Sequence, residues 1–256
     1  MLIDAHAHLD HYQDDVLESV LAEIARRRIL TLSNAMDVPS YQRTLEIAQR
    51  CDLVLPSFGI HPWRAVDYIE RLPELCPLIE RSPILGEIGL DYHWVEDETT
   101  YPIQRYIFEF FLAGARKRDK LVNLHTKGAE AEALQLLDQY QVQRVIVHWY
   151  SGPLDIFQQM VARGFYFTIG VEVLHSAHIQ TLAQTLPLNQ LLTETDNPGG
   201  LEWLIGAPGL PHHLLEVVEA LAELKQTTTE AIIQTVADNF ARLMQGVNQT
   251  MKEKRF

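Results

Sequence analysis

The sequence predicts an α/β fold, a single-domain (β/α)8 TIM-like barrel, and three observations carry that expectation. Eight short β-rich segments recur along the 256 residues, with helical stretches between them. Several of these segments are nearly continuous apolar runs, as parallel strands buried on both faces should be. No Gly/Ser-rich linker divides the chain, and its length matches one full barrel.

The first strand is expected near Leu2–Leu9, so close to residue 1 that no separate N-terminal domain is anticipated. Val16, Leu17, Val20, Leu21 and Ile24 then recur at helical spacing. Strands follow near Ile29–Asn34, Leu53–Gly59, Ile84–Leu90 and Val122–Thr126. Ala133, Leu134, Leu137 and Tyr140 mark another helix. The last strands are expected near Arg144–Trp149, Tyr166–Val171 and Leu191–Asp196. A Gly/Pro-rich loop runs from Asn197-Pro198-Gly199-Gly200 through Pro208-Gly209-Leu210-Pro211, and helices follow at about Pro211–Leu224 and Thr228–Met244. The polar tail, about residues 247–256, is expected to fray.

Hydrophobic content of 47% and charged content of 21% are ordinary for a soluble globular protein. No apolar run is long enough to cross a bilayer. The start, Met-Leu-Ile-Asp-Ala-His, has no signal-like segment. Cys51 and Cys76 sit in no C-x-x-C pattern and read as free thiols, so a cytoplasmic location is expected. A formal charge of -13 disfavours indiscriminate nucleic-acid binding and gives no support to a membrane-surface role. It leaves room for a nucleic-acid substrate held locally by metals and a few basic groups.

Within the expected barrel, metal-ligand side chains fall at the C-terminal ends of strands. His6 and His8 end the first, Glu87 is late in the fourth, His125 ends the fifth, His148 the sixth and Asp196 the eighth. Such a set can hold two divalent cations around a hydrolytic water, on the face where this architecture builds its sites. The spacing of His6-Ala7-His8 projects both imidazoles from one strand face. Glu87 lies in an apolar strand, where a carboxylate is costly unless paired or bound to a cation. The other strand ends offer His and Asp instead of a cation, which favours a bridging metal ligand, and the flanking glycines imply close approach of other groups. Asp196 is placed to face the first metal and accept a proton from the water, or else is a turn residue before Pro198. Asp4 reads either as an acceptor orienting one of the rings or as a solvated strand-end carboxylate. Mixed His/carboxylate ligation suits zinc, manganese or cobalt, with magnesium less natural at the His-rich positions.

Five ordered blocks carry a family resemblance. Asp4-Ala5-His6-Ala7-His8, Gly59-Ile60-His61-Pro62, Gly86-Glu87-Ile88-Gly89-Leu90-Asp91-Tyr92, His148-Trp149-Tyr150-Ser151-Gly152 and Glu194-Thr195-Asp196-Asn197-Pro198 resemble the signatures of TatD-family metal-dependent hydrolases, which are amidohydrolase-like barrels. Asn239-Phe240-Ala241-Arg242-Leu243 resembles the family's closing helix. The resemblance implies a nuclease-like phosphoesterase with a dinuclear centre. His6, His8, Glu87 and Asp196 would hold one metal; Glu87, His125 and His148 the other. His61 would contact substrate, the alternative being a turn histidine before Pro62.

The chain departs from the family pattern at three places. Lys127 stands where an Arg is usual, keeping a cation but losing the bidentate fork. Trp149-Tyr150 replaces Cys-Phe, and Gly209-Leu210-Pro211-His212-His213 replaces an Arg-Asn-x-Pro block. Arg26-Arg27-Arg28 and Arg116-Lys117-Arg118 close helices and so belong to the face opposite the site, which leaves no basic track at the mouth. Trp63, Trp94, Trp149, Tyr150 and Trp203 follow strand ends, to stack on bases or to pack loops.

The expectation is therefore a TatD-type deoxyribonuclease or phosphodiesterase using a metal-activated water. Its catalytic residues are Glu87 and Asp196, its substrate is DNA ends or short nucleic acid, and His61 and Lys127 face the phosphate. Hydrolysis of a carboxylic ester, lactone or amide (an acyl-nucleic-acid ester included) is the alternative that the lost Arg block favours. A catalytically idle barrel subunit is a third reading, against which the intact ligand set argues.

Overall fold

A computed structural model describes residues 1–245, and the expected frayed tail lies outside the described residues. The strands are β1 (Leu2–Ala7), β2 (Ile29–Asn34), β3 (Val54–Ser57), β4 (Ile84–Asp91), β5 (Leu121–Lys127), β6 (Val145–Val147), β7 (Tyr166–Ile169) and β8 (Leu191–Thr193). Helices α1 (Asp14–Arg27), α2 (Val38–Arg50), α3 (Leu72–Arg81), α4 (Tyr101–Arg118), α5 (Glu130–Gln139), α6 (Leu154–Ala162) and α7 (Ala177–Thr185) connect them in order. Three more, α8 (Gly199–Ile205), α9 (His213–Leu224) and α10 (Thr229–Leu243), follow β8.

Strands β1 to β3 and β4 to β8 form two runs of parallel neighbours. The runs join where Phe58 N–H donates to Ile84 O and Gly86 N–H to Phe58 O. The ring closes between β8 and β1 through Asp196 N–H to His6 O (3.0 Å) and the Thr193 hydroxyl to Ile3 O (2.6 Å). All six residues of β1 and all eight of β4 are buried, which is why their sequences read as apolar runs.

The helices pack by their apolar stripes. Leu17, Val20, Leu21 and Ile24 of α1 are buried, each stabilising the fold by roughly 1.5–3 kcal/mol, whereas Val16 turns to solvent. Helix α1 ends on Arg28 in the left-handed conformation (φ 57°), and the Arg28 carbonyl accepts from Leu2 N–H at the base of β1. Arg26 to Arg28 therefore lie on the face opposite the strand ends, as expected. Cys51 is buried and Cys76 exposed, both as free thiols. Among the described residues no helix is long and apolar enough to cross a membrane.

The structure corrects the sequence reading in the Gly/Pro-rich stretch after β8, where α8 forms inside the expected loop. Leu201 to Ile205 are five consecutive residues free of Gly and Pro, enough for a short helix. Gly206, at φ 74°, ends it by donating its N–H to Glu202 O. Several strands are also shorter than expected. His8 and His148 each lie one residue beyond their ladders, and Asp196, at φ 52°, lies past the end of β8.

Candidate metal centre

Six ligand-type side chains meet at the C-terminal mouth of the barrel. Glu87 is at their centre, buried, with its two oxygens facing different groups. Its Oε2 lies 3.6 Å from His6 Nε2 and 3.3 Å from His8 Nε2. Its Oε1 lies 2.7 Å from His125 Nδ1 and 3.4 Å from His148 Nε2. Asp196 Oδ1 completes the first group, 3.5 Å from His6 Nε2 and 3.4 Å from His8 Nε2, which are 3.2 Å from each other. A cation with tetrahedral ligands at about 2.0–2.2 Å needs donors roughly 3.3–3.6 Å apart. The separations of His6 and His8 from each other, from Glu87 and from Asp196, 3.2 to 3.6 Å, are close to that spacing, so these donors fit a divalent ion.

Hydrogen bonds on the outer ring nitrogens decide which nitrogen of each imidazole is free. His6 Nδ1–H donates to Asn123 Oδ1 (2.9 Å), whose own amide donates to Ala5 O (3.0 Å) and so fixes which side of the amide faces the ring. His8 Nδ1–H donates to Asn34 O (2.8 Å), and His148 Nδ1–H to Glu194 Oε2 (2.8 Å). His125 Nε2–H donates to Asp91 Oδ2 (3.0 Å), leaving Nδ1 turned towards Glu87. In each ring one nitrogen is committed as a donor and the other keeps its lone pair for a cation.

His61 is wired the opposite way. Its Nδ1 accepts from Trp63 N–H (3.2 Å), so the neutral ring carries its proton on Nε2. That Nε2 lies 3.5 Å from Glu87 Oε1 and 3.3 Å from His125 Nδ1. A nitrogen bearing hydrogen suits an acceptor oxygen and not a cation. Lys127 Nζ donates to Trp149 O (2.6 Å) and Ser151 Oγ (2.9 Å), and the side chain lines the same cavity as His61.

Charge and burial act in different directions on the groups of the centre. Burial raises a carboxyl, yet the imidazoles around it hold Glu87 well below the usual range. Burial pushes Asp196 up to about 8 and Glu194 up to about 8. It also pushes His6, His61 and His148 below the usual imidazole value, towards the neutral form. For His8 and His125 burial acts in the same direction, but it is overridden. The hydrogen bond and charge of Glu87, with Asp196, carry His8 up to about 10; Glu87 and Asp91 carry His125 up to about 9. The centre's field draws positive charge inwards.

The orienting residues Asn34, Asn123, Asp91 and Glu194 were not singled out as orienting groups from sequence. Asp91 and Glu194 lie inside the quoted blocks, and a carboxylate in an apolar context was the signal available for them. Asp4 has neither of its expected roles. It is buried, and its carboxylate accepts from Thr195 N–H (2.9 Å) and the Thr195 hydroxyl (2.6 Å). It thus ties β1 to the segment carrying Asp196.

Gly89 shows why β4 can bring Glu87 so close to β5. Its φ is +152°, and a Cβ there would sit 1.8 Å from His125 O. Only glycine lets the two backbones approach while Glu87 and His125 face each other.

A cavity of about 590 Å³ opens over the centre. The sequence pattern of the TatD related DNase family matches residues 3–245. The chain belongs to the TatD family. This TatD-family chain is 30% identical to the metal-dependent hydrolase YcfH of Escherichia coli K12, over 94% of its own length and 95% of YcfH. It is 25% identical to the human deoxyribonuclease TATDN3, covering 94% of each chain. Its fold matches the crystal structure of YjjV, a TatD homologue of Escherichia coli K12, with a TM-score of 0.86 and 25% identity over 94% of this chain and 97% of that one. Both the closed barrel and the single-domain organisation agree with that match. It is a metal-dependent hydrolase acting on ester bonds.

Proposed function

We propose that the protein is a two-metal phosphodiesterase of the nuclease type, acting on DNA ends or short nucleic acid. The observation that carries this reading is the division of Glu87, Oε2 towards His6 and His8 and Oε1 towards His125 and His148. His6, His8, Glu87 and Asp196 would hold one cation, and Glu87, His125 and His148 the other, with zinc, manganese or cobalt the best match and magnesium next. Bound divalent cations supply Lewis acidity for phosphoryl oxygens and make water a nucleophile near neutral pH.

The chain's own groups do the rest. Asp196 presents Oδ1 to His6 and His8, and its Oδ2 takes the proton released by the attacking water. His61 Nε2–H donates to a phosphoryl oxygen, and Lys127 Nζ places positive charge where the transition state spreads its negative charge. The family description and the deoxyribonuclease name of TATDN3 support a phosphodiester substrate.

A second reading, hydrolysis of a carboxylic ester or lactone by the same centre, is favoured by one observation. Among the described residues lining the cavity, Lys127 is the single Lys or Arg. A panel of oligonucleotides, small phosphodiesters and esters, assayed with metal-reconstituted protein, decides between them. Chelator-sensitive cleavage of oligonucleotides is expected; ester hydrolysis without any phosphodiester cleavage would transfer the assignment to the second reading.

A further inference from the structure

We propose that the four tryptophans form a stacking subsite for an unpaired nucleobase next to the scissile phosphodiester, an inference that rests on the phosphodiesterase reading above. The chain contains four tryptophans, and all of them, Trp63, Trp94, Trp149 and Trp203, line the cavity over the metal centre. They come from four separate segments, so no local sequence pattern puts them together. Trp149 forms the floor, 9% exposed. Trp63, Trp94 and Trp203 form the rim, 52%, 47% and 58% exposed, which leaves large apolar faces open to a partner.

Hydrogen bonds and ring contacts fix the tryptophans. Trp63 Nε1–H donates to Asp91 Oδ2 (2.7 Å), and the backbone N–H of Trp94 donates to Asp91 Oδ1 (2.8 Å). Asp91 is the same carboxylate that orients His125, so rim and metal donor share one anchor. Trp149 Nε1–H donates to Glu172 Oε2. Trp203, on α8, meets Trp94 edge-to-face at 5.6 Å and Trp149 edge-to-face at 6.2 Å. Gly200 lets α8 settle there, because a Cβ at that position would lie 2.6 Å from Trp149 Cζ3.

This arrangement specifies the occupant's chemistry. An acyl chain would call for an aliphatic wall, whereas the cavity has four indoles against Met36 and Val95. A flat, unsaturated ring is the group that gains from indole faces. The ring N–H groups of Trp63 and Trp149 are already committed to carboxylates, so those two rings present carbon surface and do not read base edges. Recognition is by stacking, tolerant of base identity. A base within a duplex is covered on both faces by its neighbours, so the occupant is an unpaired base. The subsite supplies the grip that the missing Arg block does not.

The test measures binding and cleavage separately. Anisotropy of a labelled single-stranded oligothymidylate with phosphorothioate linkages, which resist cleavage, gives Kd for the metal-loaded protein. Trp94→Ala and Trp203→Ala are each expected to weaken Kd roughly 5- to 150-fold, the scale of one lost stacking partner. Trp203→Phe should stay within a few-fold of wild type, and circular dichroism checks that each variant is folded. Removing the terminal bases from the strand should bring wild type to the level of the alanine variants, with no further loss in them. Equal binding of the base-bearing strand by wild type and both alanine variants would overturn the subsite, as would wild-type indifference to the abasic ends. Binding with this base dependence but no cleavage of an ordinary strand keeps the subsite and removes the phosphodiesterase. Cleavage with no tryptophan dependence does the reverse.

Discussion

Glu87 is the residue on which the centre depends. A carboxylate buried in an apolar strand persists because five imidazoles surround it, and each of its oxygens faces a different donor group. Glu87→Gln keeps the shape and removes the charge, so both metal sites should empty together and turnover should fall close to zero. Metal content and thermal midpoint of one sample check this; normal metal content with lowered stability would reduce Glu87 to a structural ion-pair partner. Asp196→Asn should abolish hydrolysis of phosphodiesters and esters alike, since both need the proton acceptor. Lys127→Ala should behave differently, cutting phosphodiester turnover by about 10²-fold while leaving a neutral ester almost unchanged. Steady-state rates on the two substrate types separate these roles, and intact DNA cleavage by the Lys127 variant would remove Lys127 from phosphate contact.

At the scale of elements, the site depends on how closely β4 and β5 approach. The Gly89 position has no room for a methyl group, with His125 O 1.8 Å from a Cβ built there. Gly89→Ala is therefore expected to destabilise the fold by about 2 kcal/mol or more and to displace His125. Denaturant midpoints measure the first effect, and metal affinity the second. A stable variant with unchanged metal binding would show that the strands can part without cost. Strand order and helix positions were legible because burial on both faces writes apolar runs into β1 and β4, and one-sided burial writes a stripe into α1. Helix α8 was not legible, since Gly and Pro on both sides dominate any local reading of Leu201 to Ile205.

For the whole molecule, the centre gathers buried carboxylates and imidazoles whose desolvation bound cations would offset. Chelation should lower the thermal midpoint. A divalent ion at 100 times its Kd should stabilise the fold by about 2.7 kcal/mol. The sign with pH follows from competition. The imidazoles hold a cation only through an unprotonated nitrogen, so the metal-induced increment should shrink as pH falls from 8 to 5. Calorimetry with and without metal across that range measures it, and an increment that grew on acidification would contradict histidine ligation.

The sequence by itself determined the barrel, the positions of the six side chains that meet at its mouth, and the family. Chain-order periodicity and blocks such as His6-Ala7-His8 and Gly86 to Tyr92 are local patterns that survive without coordinates in space. Only the tertiary structure decided which ring nitrogen of each histidine is free, because Asn123, Asn34, Asp91 and Glu194 reach the rings from other segments. It likewise separated His61 from the four other histidines of the centre, reassigned Asp4 to Thr195, and brought four distant tryptophans around one cavity. Tautomers and pockets are set by contacts between residues far apart in the chain, and those contacts exist only once the barrel has closed.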